Sequence, residues 1–277
     1  MSSDPISSQE ILLATDFCEP ARRALTCAKQ IARHRSAPLR AVHVLDLTES
    51  ALTGSAAARG SSFAASRDSA EHDLRAIRRE LRLAGLSGTA TLISAGKPAA
   101  ALRQAVHEYQ PALLVLGING TRSRSAASLG ATARALLNNP PCPLLTVGEN
   151  GPEPAGADDA MKRAIVVLDG SAECLRAAVA AWPFAAGEDR PALFTVLPPR
   201  RRTPFELPAD LRRRFQPIRA VDRENAALTI MHHAEETQAG VIVAAFHSGG
   251  RLDDWTRGSV LHTLVTQSPC PVLTVRT

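Results

Sequence analysis

The sequence is poor in aromatic residues, which make up only 4% of its 277 residues. Its apolar core must therefore come from Ala, Val, Leu and Ile. Proteins that hold single-stranded nucleic acid stack its bases on aromatic side chains, so this class is not expected. No run approaches about 18 uncharged apolar residues, and no membrane span is predicted. The first ten residues, MSSDPISSQE, lack the basic and apolar segments of a secretory signal.

The cysteine pattern makes two further kinds of site unlikely. The five cysteines are odd in number and form no C-x-x-C pair, so neither a disulfide framework nor a structural zinc site is predicted. Thiols that stay reduced are typical of intracellular proteins, and we expect a cytoplasmic location. The sequence also lacks G-x4-G-K-[S/T], G-x-G-x-x-G and H-E-x-x-H. The sequence therefore does not support P-loop phosphate transfer, dinucleotide binding by a Rossmann fingerprint, or a metal site of the H-E-x-x-H type.

The charge is moderately basic, with a formal net charge of +5 and a pI near 9.3. Much of the excess lies in two arginine runs, at 200–202 and 212–214. A basic run can bind nucleic acid or anionic lipid, but no nucleic-acid motif accompanies these. We interpret them as solvated segments and predict neither nucleic acid nor membrane as a partner.

An internal repeat organises the chain. Residues 139–147 read NPPCPLLTV and residues 267–275 read QSPCPVLTV, a spacing of 128 that Gly130 and Gly258 share. Near the start of each half an apolar run ends in an aspartate, at Asp16 and Asp169, and these are 153 apart. The second half is therefore shorter between its aspartate and its glycine. A duplication explains these matches better than chance.

The composition also suggests where the halves divide. The segment GENGPEPAGADDAM, residues 148–161, is rich in Gly, Pro and acid and has no apolar period, as is typical of a linker. We predict a first domain at 1–148, a linker at 149–161 and a shortened second domain at 162–277. Residues 48–69 are low in complexity, and we predict a mobile surface insertion there.

Short apolar strands alternate with helices along both halves. This pattern predicts an α/β fold of two tandem doubly wound domains, each with a five-stranded parallel sheet. The predicted strands are 11–15, 40–45, 89–94, 112–116, 144–147, 164–168, 192–196, 218–221, 241–245 and 272–275. The predicted helices are 19–35, 71–84, 99–109, 130–138, 172–185, 224–236 and 259–266, with a short one at 207–215.

A candidate ligand site lies at the carboxyl ends of the strands, where the strand order of such a sheet reverses. Gly117 and Gly120 follow the fourth strand, and Gly130 opens a helix. Glycines allow a ligand to approach the backbone, and a helix N-terminus offers free N–H groups to a phosphate. Asp16 ends the first strand at the same edge, where it could bind a base or a ribose. On spacing alone the glycines could equally be turn formers, and Asp16 could cap the following helix.

Several motifs resemble the universal stress protein family, in a tandem arrangement, over nearly the whole chain. They are ILLATDFCEPARRAL, HVLD, AGKPAAAL and LGINGTRSRSAASLGATARALLNNPPCPLLTV. The family's nucleotide pattern is G-x2-G-x9-G-[S/T], and the chain has its full glycine spacing at Gly117, Gly120 and Gly130. Ala131 stands where Ser or Thr is usual, although Thr132 follows.

The resemblance implies the adenine nucleotide α-hydrolase-like fold and ATP, with or without Mg²⁺, as the ligand. The implied first site comprises Ala14, Thr15, Asp16, Leu39, Gly117, Gly120, Gly130, Ala131 and Thr132. A second, weaker site would comprise Asp169, Gly258, Ser259 and Val260. In the second half Ala245 and Ser248 replace the first two glycines, so we expect the first half to be the better ATP site.

The resemblance also implies pairing of the last strands, at 144–147 and 272–275, as an intramolecular pseudo-dimer that could dimerise further. We expect an ATP-binding module of stress response or signalling. The alternatives are a slow ATPase or other enzyme on the same fold, and an interaction protein without nucleotide. No general base is evident beside the glycines, so no catalytic residue is predicted.

Two further residues lie near the candidate site. We interpret His43 as a satisfied core histidine within a strand. Cys18 lies at a helix start near Asp16, a position that allows a lowered thiol pKa.

Overall fold

The computed structural model describes residues 10–46, 56–119, 129–148, 163–168, 191–197, 219–222, 225–246 and 259–276, with residues 209, 213, 215 and 216 between them. Predicted features at 172–185, most of 207–215, and the linker therefore lie outside the described residues. The predicted domain boundaries stay predictions. Among the described helices, none is long and apolar enough to cross a membrane.

Strands and helices alternate as the sequence predicts. The strands are β1 Ile11–Ala14, β2 Leu39–Asp46, β3 Gly88–Ala95, β4 Leu113–Gly117, β5 Leu144–Val147, β6 Ala164–Leu168, β7 Ala192–Leu197, β8 Arg219–Asp222, β9 Val241–Phe246 and β10 Val272–Arg276. The described helices are α1 Glu19–Arg35, α2 Ala56–Leu83, α3 Pro98–Tyr109, α4 Ala131–Asn138, α5 Ala226–Glu236 and α6 Val260–Gln267.

The ten strands form one sheet in the order β3-β2-β1-β4-β5-β10-β9-β6-β7-β8. Five parallel strands form the first lobe (residues 10–148) and five parallel strands form the second lobe (residues 163–276). The predicted α/β architecture with two five-stranded parallel units is thereby confirmed. The lobes join where β5 and β10 pair antiparallel, with Leu145 opposite Leu273.

Both faces of the sheet are buried, as parallel strands require. Alternate residues of β1 point to opposite faces: Leu13 packs with α1 and α2, whereas Leu12 packs with α3 and α4. Each of the two apolar clusters contains residues of both lobes. The core therefore continues across the β5–β10 junction.

The helix predicted at 71–84 starts too late, because α2 already begins at Ala56, within the segment 48–69 for which a mobile surface insertion was predicted. Five of the 14 residues at 56–69 are alanine, which has the highest helix propensity. The side chains from Ala64 to Ser69 are exposed. These turns therefore lack the buried apolar face whose periodicity reveals a helix in a sequence. Arg67 pairs with Glu71 one turn later at 2.9 Å and supports the exposed turns.

Candidate functional site

A pocket of about 570 Å³ opens at the carboxyl ends of β1, β2 and β4. The strand order reverses between β1 and β4, because β2 and β3 lie on one side of this pair and β5 on the other. Ligands of open α/β sheets bind in the crevice at such a reversal. The volume falls within the range of small-molecule sites.

The pocket has an apolar wall and a polar rim. The wall includes Val44, Leu102, Leu116 and Leu129, and the rim includes Asp16, Asp46 and Thr132. The described lining thus carries two carboxylates and neither Lys nor Arg. Gly120, Arg122 and Arg124 of the glycine segment lie outside the described residues.

The turn after β1 presents Asp16 to the pocket. Asp16 is exposed, and its Oδ1 accepts a hydrogen bond from Cys18 N at 3.2 Å. Thr15 Oγ1 accepts one from Phe17 N at 3.0 Å. The N-cap of α1 is Cys18, not Asp16. The aspartate therefore braces the turn without capping the helix.

His43 lies beside this turn and also lines the pocket, so its interpretation as a core histidine is wrong. Its Nδ1 lies 2.8 Å from Thr15 O, and because a carbonyl only accepts, Nδ1 must carry the proton. The imidazole also stacks on Phe17, with ring centroids 4.6 Å apart. The histidine is satisfied, as expected, but at the edge of the pocket.

Gly117 ends β4 under the first turn of α1. A Cβ at this position would lie 2.9 Å from the carbonyl carbon of Pro20 and 3.0 Å from Ala21 N, closer than real Cβ contacts. The glycine thus allows α1 to approach the sheet. Its backbone also lines the pocket, which is the role that its spacing suggests.

The N-terminus of α4 also lines the pocket. Gly130 is its N-cap, and Gly130 N donates to Ile118 O at 2.8 Å. The first hydrogen bond of the helix runs from Arg134 N to Gly130 O at 2.9 Å. The preceding N–H groups, of Ala131 to Ala133, have no intrahelical acceptor. All three residues line the pocket, so these donors and the positive end of the helix dipole are available to an anion.

Cys18 does not have the lowered pKa that its position allows. Burial, and then its hydrogen bond with the Asp16 carboxylate, raise the pKa of the thiol from 9.0 to about 12. The position at the helix start does not determine the pKa of this thiol, because desolvation and a neighbouring anion both disfavour the thiolate.

The sequence profile of the universal stress protein family matches residues 8–148 and 212–276, which is more than half of the chain. The chain belongs to the universal stress protein family. Both halves take part in the match, as the repeat predicts. A search of curated protein sequences found no match.

Solved structures of universal stress proteins share the fold. One from Archaeoglobus fulgidus DSM 4304 is 17% identical, with a TM-score of 0.71 and 96% of each chain covered. A functionally unknown protein from Pseudomonas aeruginosa PAO1 is 15% identical, with a TM-score of 0.59, covering 98% of this chain and 94% of that one. A putative universal stress protein from P. aeruginosa UCBPP-PA14 matches with the same values.

The structure brings together most of the first set of predicted residues. Ala14, Thr15, Asp16, Gly117, Gly130, Ala131 and Thr132 all line the pocket of this universal stress protein. Leu39 does not, and its inclusion is corrected. It begins β2 opposite Ile11, fully buried at the amino end of the strands, whereas the pocket lies at their carboxyl end.

Four pocket residues of β2 were not predicted as part of the site. They are Val42, His43, Val44 and Asp46. The HVLD motif was the signal that could have found them, since it ends the strand next to β1, whose following turn carries Asp16.

The predicted second site is only partly described. Asp169 and Gly258 lie outside the described residues. Ser259 is the N-cap of α6, and its side chain accepts from His262 N at 3.2 Å, while Val260 is buried. The Ser259 hydroxyl thus has a structural role in capping. Ala245, which occupies the strand position equivalent to Gly117, is fully buried.

Proposed function

We propose that this universal stress protein is a nucleotide-binding signalling module that holds ATP in the pocket of its first lobe. One observation carries the proposal. An exposed carboxylate, an apolar wall and the open N-terminus of a helix meet in one cavity at the strand-order reversal. An adenine nucleotide presents the matching groups: a flat base, ribose hydroxyls and a phosphate chain.

The residues fit these groups in separate regions. Asp16 is placed to accept hydrogen bonds from ribose or base, and Val44, Leu102 and Leu116 offer apolar surface to the base. The backbone N–H groups at Ala131 and Thr132 suit phosphate oxygens. Because Asp16 and Asp46 are both acidic, binding as the magnesium complex would lower the repulsion that a free triphosphate meets here.

The ligand can be identified directly. Mass spectrometry of material released from freshly purified protein should show an adenine nucleotide. Recovery of another compound, or of none even after incubation with millimolar MgATP, would refute the proposal. Single-turnover assays on the same protein distinguish a binding module from the alternative slow ATPase.

The role of Asp16 is tested by calorimetric titration with MgATP. We expect Asp16→Ala to weaken binding at least about tenfold, because hydrogen bonds to a charged acceptor are lost. Asp68→Ala is the matched control, since it removes the same charge from an exposed position on α2 outside the pocket. Equal affinity of the two variants would contradict the assignment.

A further inference from the structure

The turn that carries Asp16 is held from the neighbouring strand. His43 of β2 donates from Nδ1 to Thr15 O at 2.8 Å, one residue before Asp16. Its ring stacks on Phe17, one residue after Asp16, at 4.6 Å with an interplanar angle of 29°. A single side chain therefore contacts the residues on both sides of the aspartate, through the backbone of Thr15 and the ring of Phe17.

Phe17 has a strained backbone conformation, which its contact with His43 helps to hold. Phe17 has φ of 63°, in the left-handed region that a bulky residue rarely adopts. A strained conformation of this kind is kept only where surrounding contacts stabilise it. Here these contacts are the stack on the imidazole of His43 and the hydrogen bond from Phe17 N to Thr15 Oγ1. Glycine would adopt this conformation without strain but would lose the stack.

The direction of Asp16 depends on the same turn. Its Oδ1 accepts from Cys18 N, on the far side of Phe17. Relaxation of Phe17 to a negative φ would move the Cys18 N–H and turn the carboxylate away from the pocket. The side chains of His43 and Phe17 thus act on the pocket through Asp16.

We propose that the stacked pair His43 and Phe17 positions Asp16 for the ligand, so that the pair determines nucleotide affinity without any need to touch the nucleotide. The proposal rests on the proposed function for its ligand, but the arrangement of the turn can be measured without one.

The test separates binding from stability. Phe17→Gly removes the ring and relieves the positive φ, and we expect MgATP to bind about tenfold more weakly. Because the ring also packs against the core, binding is measured at a temperature at which circular dichroism shows the variant to be folded. His43→Phe keeps a ring for stacking but loses the donor to Thr15 O, and its affinity should fall as well. Phe17→Tyr keeps the stacked ring and should retain most of the affinity.

A double-mutant cycle shows whether the pair acts through Asp16. In the Asp16→Ala background, Phe17→Gly should cause no further loss of affinity, because the group that it positions is gone. Losses that add in full would overturn the proposal. So would a Phe17→Gly variant that binds MgATP as well as the natural sequence.

Hydrogen exchange provides the measurement without ligand. The amides of residues 17 and 18 should be less protected in Phe17→Gly and His43→Phe than in the natural sequence, after each rate is divided by the intrinsic rate for its own sequence. Unchanged exchange would refute the positioning role even if nucleotide binds. Faster exchange in a protein that binds no nucleotide would instead refute the proposed function and leave the positioning role standing.

Discussion

Gly117 has a packing role that can be measured apart from ligand binding. Gly117→Ala would place a Cβ 2.9 Å from the backbone of Pro20, so α1 would have to move away from β4. We expect a loss of about 1–3 kcal/mol in the free energy of unfolding, as for other overpacked sites. Urea unfolding followed by circular dichroism measures it.

Gly96→Ala is the matched control. Gly96 is exposed after β3, and a Cβ there would meet no atom within 4 Å. Its unfolding free energy should stay within about 0.5 kcal/mol of the natural sequence. If both alanine variants unfolded alike, the approach of α1 would not be what requires a glycine at 117.

At this scale the sequence predicts the residue types of the site better than their surroundings. Asp16 and Gly130 could be placed at the pocket because both follow from strand ends and a helix start. Leu39 was misplaced because the resemblance to the family is loose at this point, although the predicted strand at 40–45 already put Leu39 at the amino end of β2. The stack of His43 on Phe17 joins residues 26 positions apart, and no local pattern encodes it.

Among the elements, the buried strands were the most predictable. Their continuous apolar runs mark them, and β5 and β6 have the predicted bounds. The C-termini of two helices were predicted as well, since α1 ends at Arg35 and α3 at Tyr109. Their C-cap residues, Ser36 and Gln110, adopt the left-handed conformation that usually favours glycine, so no glycine marks these ends in the sequence. The start of α2 was missed because its first turns face solvent.

The β5–β10 pair has two buried threonines that differ in hydrogen bonding. Thr146 Oγ1 donates to Val272 O at 3.1 Å across the junction, whereas Thr274 Oγ1 is buried with no partner among the described residues. Thr146→Val should therefore cost about 1 kcal/mol of unfolding free energy. Thr274→Val removes an unsatisfied hydroxyl and should be neutral or stabilising.

These two variants control for each other, because each makes the same isosteric change at equivalent positions of a repeated strand. Thermal unfolding of both, side by side, measures the difference. Equal destabilisation would show that the hydrogen bond between β5 and Val272 adds nothing to the junction.

For the whole molecule, the antiparallel β5–β10 pair explains why two parallel units form one sheet. An unpaired β5 would expose a row of backbone N–H and C=O groups at the edge of the first lobe. Pairing with β10 satisfies these groups within one chain and buries Leu145 against Leu273. The repeat in the sequence predicts two similar units. Their junction was expected only through the family resemblance. Further dimerisation stays a prediction.

The duplication does not imply two equal ligand sites. The first lobe combines Asp16, Gly117 and the open α4 N-terminus, whereas the second has Ala245 for the glycine and a serine-capped α6. We therefore expect calorimetry with MgATP to give about one site per chain. Asp16→Ala should remove most of the measured binding, and Asp169→Ala, the equivalent change in the second half, should leave it intact. Two equivalent sites, or a loss confined to Asp169→Ala, would mean that the glycine pattern does not decide which lobe holds the nucleotide.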